Sequence, residues 1–129
     1  MNIDNEYINE IGELVLRCRK VVQNEWDVLA LVFDTAEGHT ANSGFLYYGD
    51  KIRPISAGID GEPLLLDLKI EQLRKKIAED CGAKFKQVFI QMEKKSGKIK
   101  VDFEFEDSSR WRIVPSKLKE MREALRPKF

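Results

Sequence analysis

The sequence predicts an α+β fold: one antiparallel sheet of about five strands, helices packed mainly on one face, in the order α-β-β-β-α-β-β-α. Three observations carry this expectation. Residues 3–22 and 67–81 repeat apolar side chains at three- and four-residue steps, the spacing of one helix face. Residues 26–34 and 44–48 are apolar or aromatic over strand lengths. Residues 85–95 and 98–106 flank Ser96-Gly97, the form of a hairpin. A chain of 129 residues suits one domain with one core. With 43% apolar and 34% charged residues it has the composition of a folded domain rather than a disordered one.

The first helix carries Tyr7, Ile8, Ile11, Leu14, Val15, Cys18, Val21 and Val22 on its apolar stripe. Glu6, Glu10, Glu13, Arg17 and Lys20 fall on other faces. In 26–34, Trp26, Val28, Ala30 and Val32 point one way and Leu29, Leu31 and Phe33 the other. Apolar residues on both faces predict a central strand, at least partly covered on both sides. Residues 34–43 (DTAEGHTANS) read as a polar loop. Strand 44–48 is aromatic, Gly49-Asp50 is a turn, and 51–59 is a weaker strand whose Pro54 favours a sheet edge.

In the helix 67–81, Asp67 can cap the start and Gly82 suits the position just past the end. Its buried stripe is Ile70, Leu73 and Ile77, helped by Leu66. In the hairpin, Lys95 opposite Lys98 places Met92, Ile90 and Val88 against Val101, Phe103 and Phe105. Cross-strand partners share a face, so six apolar residues gather on the core side. Pro115 and Ser116 then start a last helix with the stripe Leu118, Met121 and Leu125, stopped by Pro127.

Charge narrows the function. There are 22 basic and 22 acidic residues. Net neutrality weighs against a general binder of nucleic acid or anionic membrane. The balance is uneven along the chain: residues 26–62 carry six acids against Lys51 and Arg53, and residues 63–98 nine bases against five acids. Cys18 and Cys81 have no metal-ligand spacing and fit a reducing cytoplasm. The start of the chain lacks a basic segment followed by a continuous apolar run, and no stretch approaches the ~20 apolar residues that span a bilayer.

Catalytic chemistry finds little support. His39 is the sole histidine and stands near Asp34 and Glu37, which raises an acid–base pair or a metal site. A metal needs three or four ligands, and a nucleophile needs a base and an orienting group. With those partners missing from the pattern, His39 reads as a solvated loop residue. No phosphate-cradling glycine motif is present, so no nucleotide cofactor is expected. The basic set Arg74, Lys75, Lys76, Lys84, Lys86, Lys94, Lys95 and Lys98 lacks interleaved aromatics and reads as a solvated face plus edge-guarding lysines.

The clearest feature is strand 99–106, apolar on one side and acidic on the other. Its outer face carries Asp102, Glu104 and Glu106 beside Gln87, Phe89 and Gln91, with Asp107 extending the acidic end. An aromatic among carboxylates and amides has the composition of a binding patch, an apolar anchor in a charged rim. A half-solvated sheet face explains the same alternation. Both readings stand at this level, as does a paired-carboxylate hydrolase site, which would need burial to raise one pKa.

The order of segments resembles the bacterial toxin-immunity proteins of the YezG-like, contact-dependent growth inhibition immunity (CdiI) type. The resemblance rests on the N-terminal amphipathic helix, Trp26 opening an apolar strand, and Gly44-Phe45-Leu46-Tyr47-Tyr48. It continues through the hairpin end Val101-Asp102-Phe103-Glu104-Phe105, Trp111-Arg112-Ile113-Val114-Pro115, and Leu118 to Phe129. It implies a cytoplasmic antidote without enzymatic activity or cofactor, which binds a cognate toxin domain, often a nuclease. No direct nucleic-acid or membrane partner is expected. The expected partner surface is Asp102, Glu104, Glu106, Asp107 and Phe89, with Asp34 and Glu37 of the polar loop. The alternatives are a small secretion or assembly chaperone and a small hydrolase using Asp/Glu chemistry.

Overall fold

The computed structural model of the 129-residue chain describes residues 5–35 and 40–129. Helix α1 (Asn5–Leu16) and the short α2 (Arg19–Val22) precede three strands, β1 (Val28–Asp34), β2 (Ala41–Tyr48) and β3 (Lys51–Ile55). Helix α3 (Leu65–Cys81), strands β4 (Gln87–Glu93) and β5 (Ile99–Glu104), a 3-10 turn (Pro115–Lys117) and α4 (Leu118–Ala124) follow. The strands form one antiparallel sheet in the order β3-β2-β1-β4-β5. This is the α+β architecture that the sequence predicts.

β1 is central because both its faces are apolar. Leu29, Leu31 and Phe33 pack with Ile11 and Val15 of α1 and Ile70, Leu73 and Ile77 of α3. Ala30 and Val32 pack on the opposite face with Phe45, Tyr47 and Phe89, under Trp111 and Leu125. The long helices therefore occupy one face, and the C-terminal segment with α4 closes the other. The Tyr47 hydroxyl ties that cover down by donating to the Arg122 carbonyl at 2.7 Å.

Several details differ from the sequence expectation. The first helix breaks at Cys18, which takes an extended conformation (φ −60°, ψ 137°) and bridges Ile59. The Arg19 N–H donates to the Gly58 carbonyl at 2.9 Å. The break lets Cys18, Val21 and Trp26 all join the same core.

Asp67 does not cap α3. The cap position is Leu64, without a side-chain bond, and the Asp67 carboxylate instead accepts from Asn42 Nδ2 at 3.0 Å. Burial pushes the Asp67 pKa up. Gly82 does end the helix, at φ 78°, with its N–H on the Ala78 carbonyl.

The hairpin register is shifted by two residues. Val88 pairs with Phe103, Ile90 with Val101 and Met92 with Ile99. The connection is the four residues 94–97: the Glu93 N–H donates to the Lys98 carbonyl and the Gly97 N–H to the Glu93 carbonyl, with Gly97 at φ 73°. An even slip keeps every side chain on its face, so the apolar grouping survives while the partners change. Phe105 lies beyond β5 and still packs against the first core.

The polar loop is shorter than expected, because β2 begins at Ala41 and pairs through Asp34. Glu37 and His39 lie outside the described residues. β3 takes the edge that Pro54 favours but ends at Ile55. Among the described residues, no helix is long and apolar enough to cross a membrane.

Candidate protein-binding site

Asp34, Gln87 and Glu104 form a row across three neighbouring strands, since Asp34 pairs with Gln87 and Gln87 with Glu104. Three consecutive residues of the C-terminal segment dock on that row. Arg110 Nη1 donates to Glu104 Oε1 at 2.9 Å. The Trp111 N–H donates to Gln87 Oε1 at 2.9 Å. Arg112 donates to Asp34 Oδ2 from Nε at 3.2 Å and Nη2 at 3.0 Å. Gln87 Nε2 also donates to Asp34 Oδ2, at 3.3 Å. Gln87 is fully buried, and these bonds satisfy both ends of its amide.

This arrangement corrects the expected role of Phe89. Its ring lies 5.4 Å from the Trp111 ring, and only 8% of the residue is exposed. Arg110 also stacks on the indole, its guanidinium carbon 4.7 Å from the Trp111 centroid. Phe89 is a core residue of the second sheet face, covered by the chain itself, and not an exposed anchor. Asp34 is likewise an internal ion-pair partner of Arg112. It borders a cavity of about 400 Å³ that Val32, Ser43, Gln87 and Arg112 also line.

Glu104 belongs to the same internal bonding. Its Oε2 accepts from the Glu106 and Asp107 N–H groups at 3.0 and 3.1 Å, closing the turn after β5. Those backbone bonds, Asp107's first, and then Arg110 hold its pKa below the usual carboxylate range. Asp107 accepts from the Ser109 hydroxyl at 2.7 Å and the Ser109 N–H at 2.9 Å, and both lower its pKa. These bonds favour the ionised form of both carboxylates.

The side chains of Asp102, Glu106 and Asp107 remain exposed. Asp102 stands opposite Phe89 on the edge strand β5, and Lys86 Nζ donates to the Glu106 carbonyl at 2.9 Å. The expected site thus divides. Asp102, Glu106 and Asp107 form an accessible acidic edge; Glu104 links that edge to the fold; Asp34 and Phe89 lie under the C-terminal segment.

The predicted basic surface divides too. Arg74 Nε donates to the Phe85 carbonyl at 2.9 Å, and Lys94 sits over the Trp26 ring. Among the described residues, no three His, Cys, Asp or Glu side chains converge as a metal site would require. The sequence does not single out Arg110 or Arg112. Their signal is the Arg-Trp-Arg triplet, which can follow a strand and lie across its polar face. No protein-family model and no curated protein matches the chain.

Proposed function

We propose that this chain is an immunity protein that binds and neutralises a cognate bacterial toxin domain, a nuclease, by stoichiometric protein–protein binding in the cytoplasm. It does so without a catalytic step or a cofactor. The observation that supports this reading is the acidic edge of Asp102, Glu106 and Asp107, set on a strand and a turn that are bonded to the sheet. Rigid like-signed charges steer a basic partner inward and fix its register. A nuclease presents such a surface, because it must hold phosphates. An acidic edge seated there occludes the substrate.

The test is co-expression with the polypeptide encoded immediately upstream. Growth rescue and co-purification at equal stoichiometry are expected; absence of both removes the reading. Charge reversal by Asp102→Lys with Glu106→Lys is expected to lower the association rate by about tenfold or more at low salt. These positions are preferred to Glu104, whose loss would also open the turn. Unchanged affinity in the double variant moves the interface elsewhere.

A further inference from the structure

Helix α3 buries Leu66, Ile70, Leu73 and Ile77 and leaves two leucines in solvent on its opposite side: Leu64 is 63% exposed and Leu68 59%. They open a stripe that runs from cap to cap, Leu64, Leu68, Glu71, Lys75, Ala78 and Gly82, at steps of 4-3-4-3-4. That spacing is the a/d seam of a coiled coil. A shallow groove of about 730 Å³ follows part of it, between Leu68, Lys75 and Ala78. Thr40 donates its hydroxyl to Glu71, which anchors that carboxylate beside the stripe.

We infer that this stripe binds a second copy of the chain, with the two α3 helices antiparallel about a twofold axis. The stripe is complementary to itself in this direction alone. Antiparallel pairing about residue 73 sets Leu68 against Ala78, Leu64 against Gly82 and Glu71 against Lys75, each twice. Large side chains meet small ones and acids meet bases. Parallel pairing sets Glu71 on Glu71 and Lys75 on Lys75, which repels. The opposed helix dipoles favour the same direction. The surface lies on the helical layer, separate from the acidic edge of β5, and the inference is independent of the toxin-binding reading.

Sedimentation of the full chain tests it. A concentration-dependent species at twice the 15.0 kDa chain mass is expected. Leu68→Asp is expected to weaken self-association at least about 100-fold, since each copy contributes one such leucine and each is worth about tenfold or more. The residue is exposed, so circular dichroism should be unchanged. Glu71→Lys alone is expected to weaken the dimer and the added Lys75→Glu to restore it. The antiparallel arrangement also separates the two Cys81 residues by roughly 24 Å, at 1.5 Å per residue. A wild type that stays monomeric, a dimer indifferent to Leu68→Asp, a charge swap that fails to restore association, or efficient joining of the two Cys81 thiols by a short cross-linker would each overturn the inference.

Discussion

Replacing Gln87 with leucine tests whether the C-terminal segment is held to the sheet through this one amide. Gln87 is fully buried, so water cannot take over its bonds. Leucine has a similar volume and leaves only a small cavity. The Trp111 N–H loses its acceptor, at a cost of about 1–3 kcal/mol for an orphaned buried donor. Asp34 keeps Arg112, so loss of the longer 3.3 Å bond adds only about 0.5–1.5 kcal/mol. The expected total is about 1.5–4.5 kcal/mol. At this chain length each kcal/mol lowers Tm by about 3–4 °C, so a fall of about 5–18 °C is expected. Thermal and urea unfolding, followed by tryptophan fluorescence and circular dichroism, measure it. A loss under about 1 kcal/mol would refute the reasoning. Gln87→Glu adds a pH test. It keeps the acceptor for Trp111 but sets a second carboxylate beside Asp34, and both burial and that charge raise the new group's native pKa. A raised native pKa means stability is lost as pH climbs from the unfolded value, about 4.3, through the native one. The deficit relative to wild type should be small at about pH 4 and grow toward neutrality. A deficit constant over that range would place the side chain in solvent.

Further outcomes follow from other contacts. Gly44→Ala would put a methyl 2.1 Å from the Ala30 carbonyl oxygen and 2.9 Å from the Leu31 Cα, so a loss of at least about 3 kcal/mol is expected by urea midpoint. Gly49→Ala meets open space at φ 56° and should cost only about 1 kcal/mol. A thiol reagent should label exposed Cys81 at once and buried Cys18 only as the chain unfolds. Burial, then the Asp67 charge, push the Cys18 thiol up to about 11, so its contribution to stability is full below the unfolded value of 9.0 and is lost as pH rises toward 11. Glu104 and Asp107 have lowered native pKa values, so their contribution is present above the usual carboxylate range and lost as pH falls through the native values. Phe89→Leu should lower stability by about 1–1.5 kcal/mol without slowing association, whereas Asp102→Lys should do the reverse.

Much of the fold is legible because burial leaves a periodic mark. The two-sided apolar run of β1 identifies the central strand, and Pro54 identifies an edge. Features set by long-range contacts leave a weaker mark. The break at Cys18 depends on Gly58 and Ile59, far along the chain, and the helical stripe continues through it without interruption. The start of α3 is set by packing of Leu65 and Leu66, which outweighs Asp67 as a cap. The hairpin slip has a different origin. Face alternation fixes register only to an even number of residues, so the turn decides between candidates. Ser96-Gly97 fits both a two-residue turn and the end of a four-residue one, and positive φ at Gly97 alone serves the longer connection.

The site is harder to read, because a polar residue facing away from one core can face water or a second covering segment, and strand alternation is the same in both cases. Asp102 and Glu104 are indistinguishable on that criterion, being two residues apart on one face. What separates them is Arg110, which pairs with Glu104, together with the two N–H groups of the turn. Phe89 holds the missing clue. An aromatic on the outer face of a central strand pair implies a cover, and Trp111 and Leu125 are apolar residues that no other element claims. Subtracting the carboxylates this cover consumes leaves Asp102 and Glu106, whose reversal reports on binding with least disturbance to folding. A charge change at Asp34 or Glu104 would weaken any complex simply by loosening the segment that shapes the surface, so a loss of affinity there carries no information about contact. Only a slower association rate with unchanged unfolding, at Asp102 or Glu106, assigns the acidic edge to a partner.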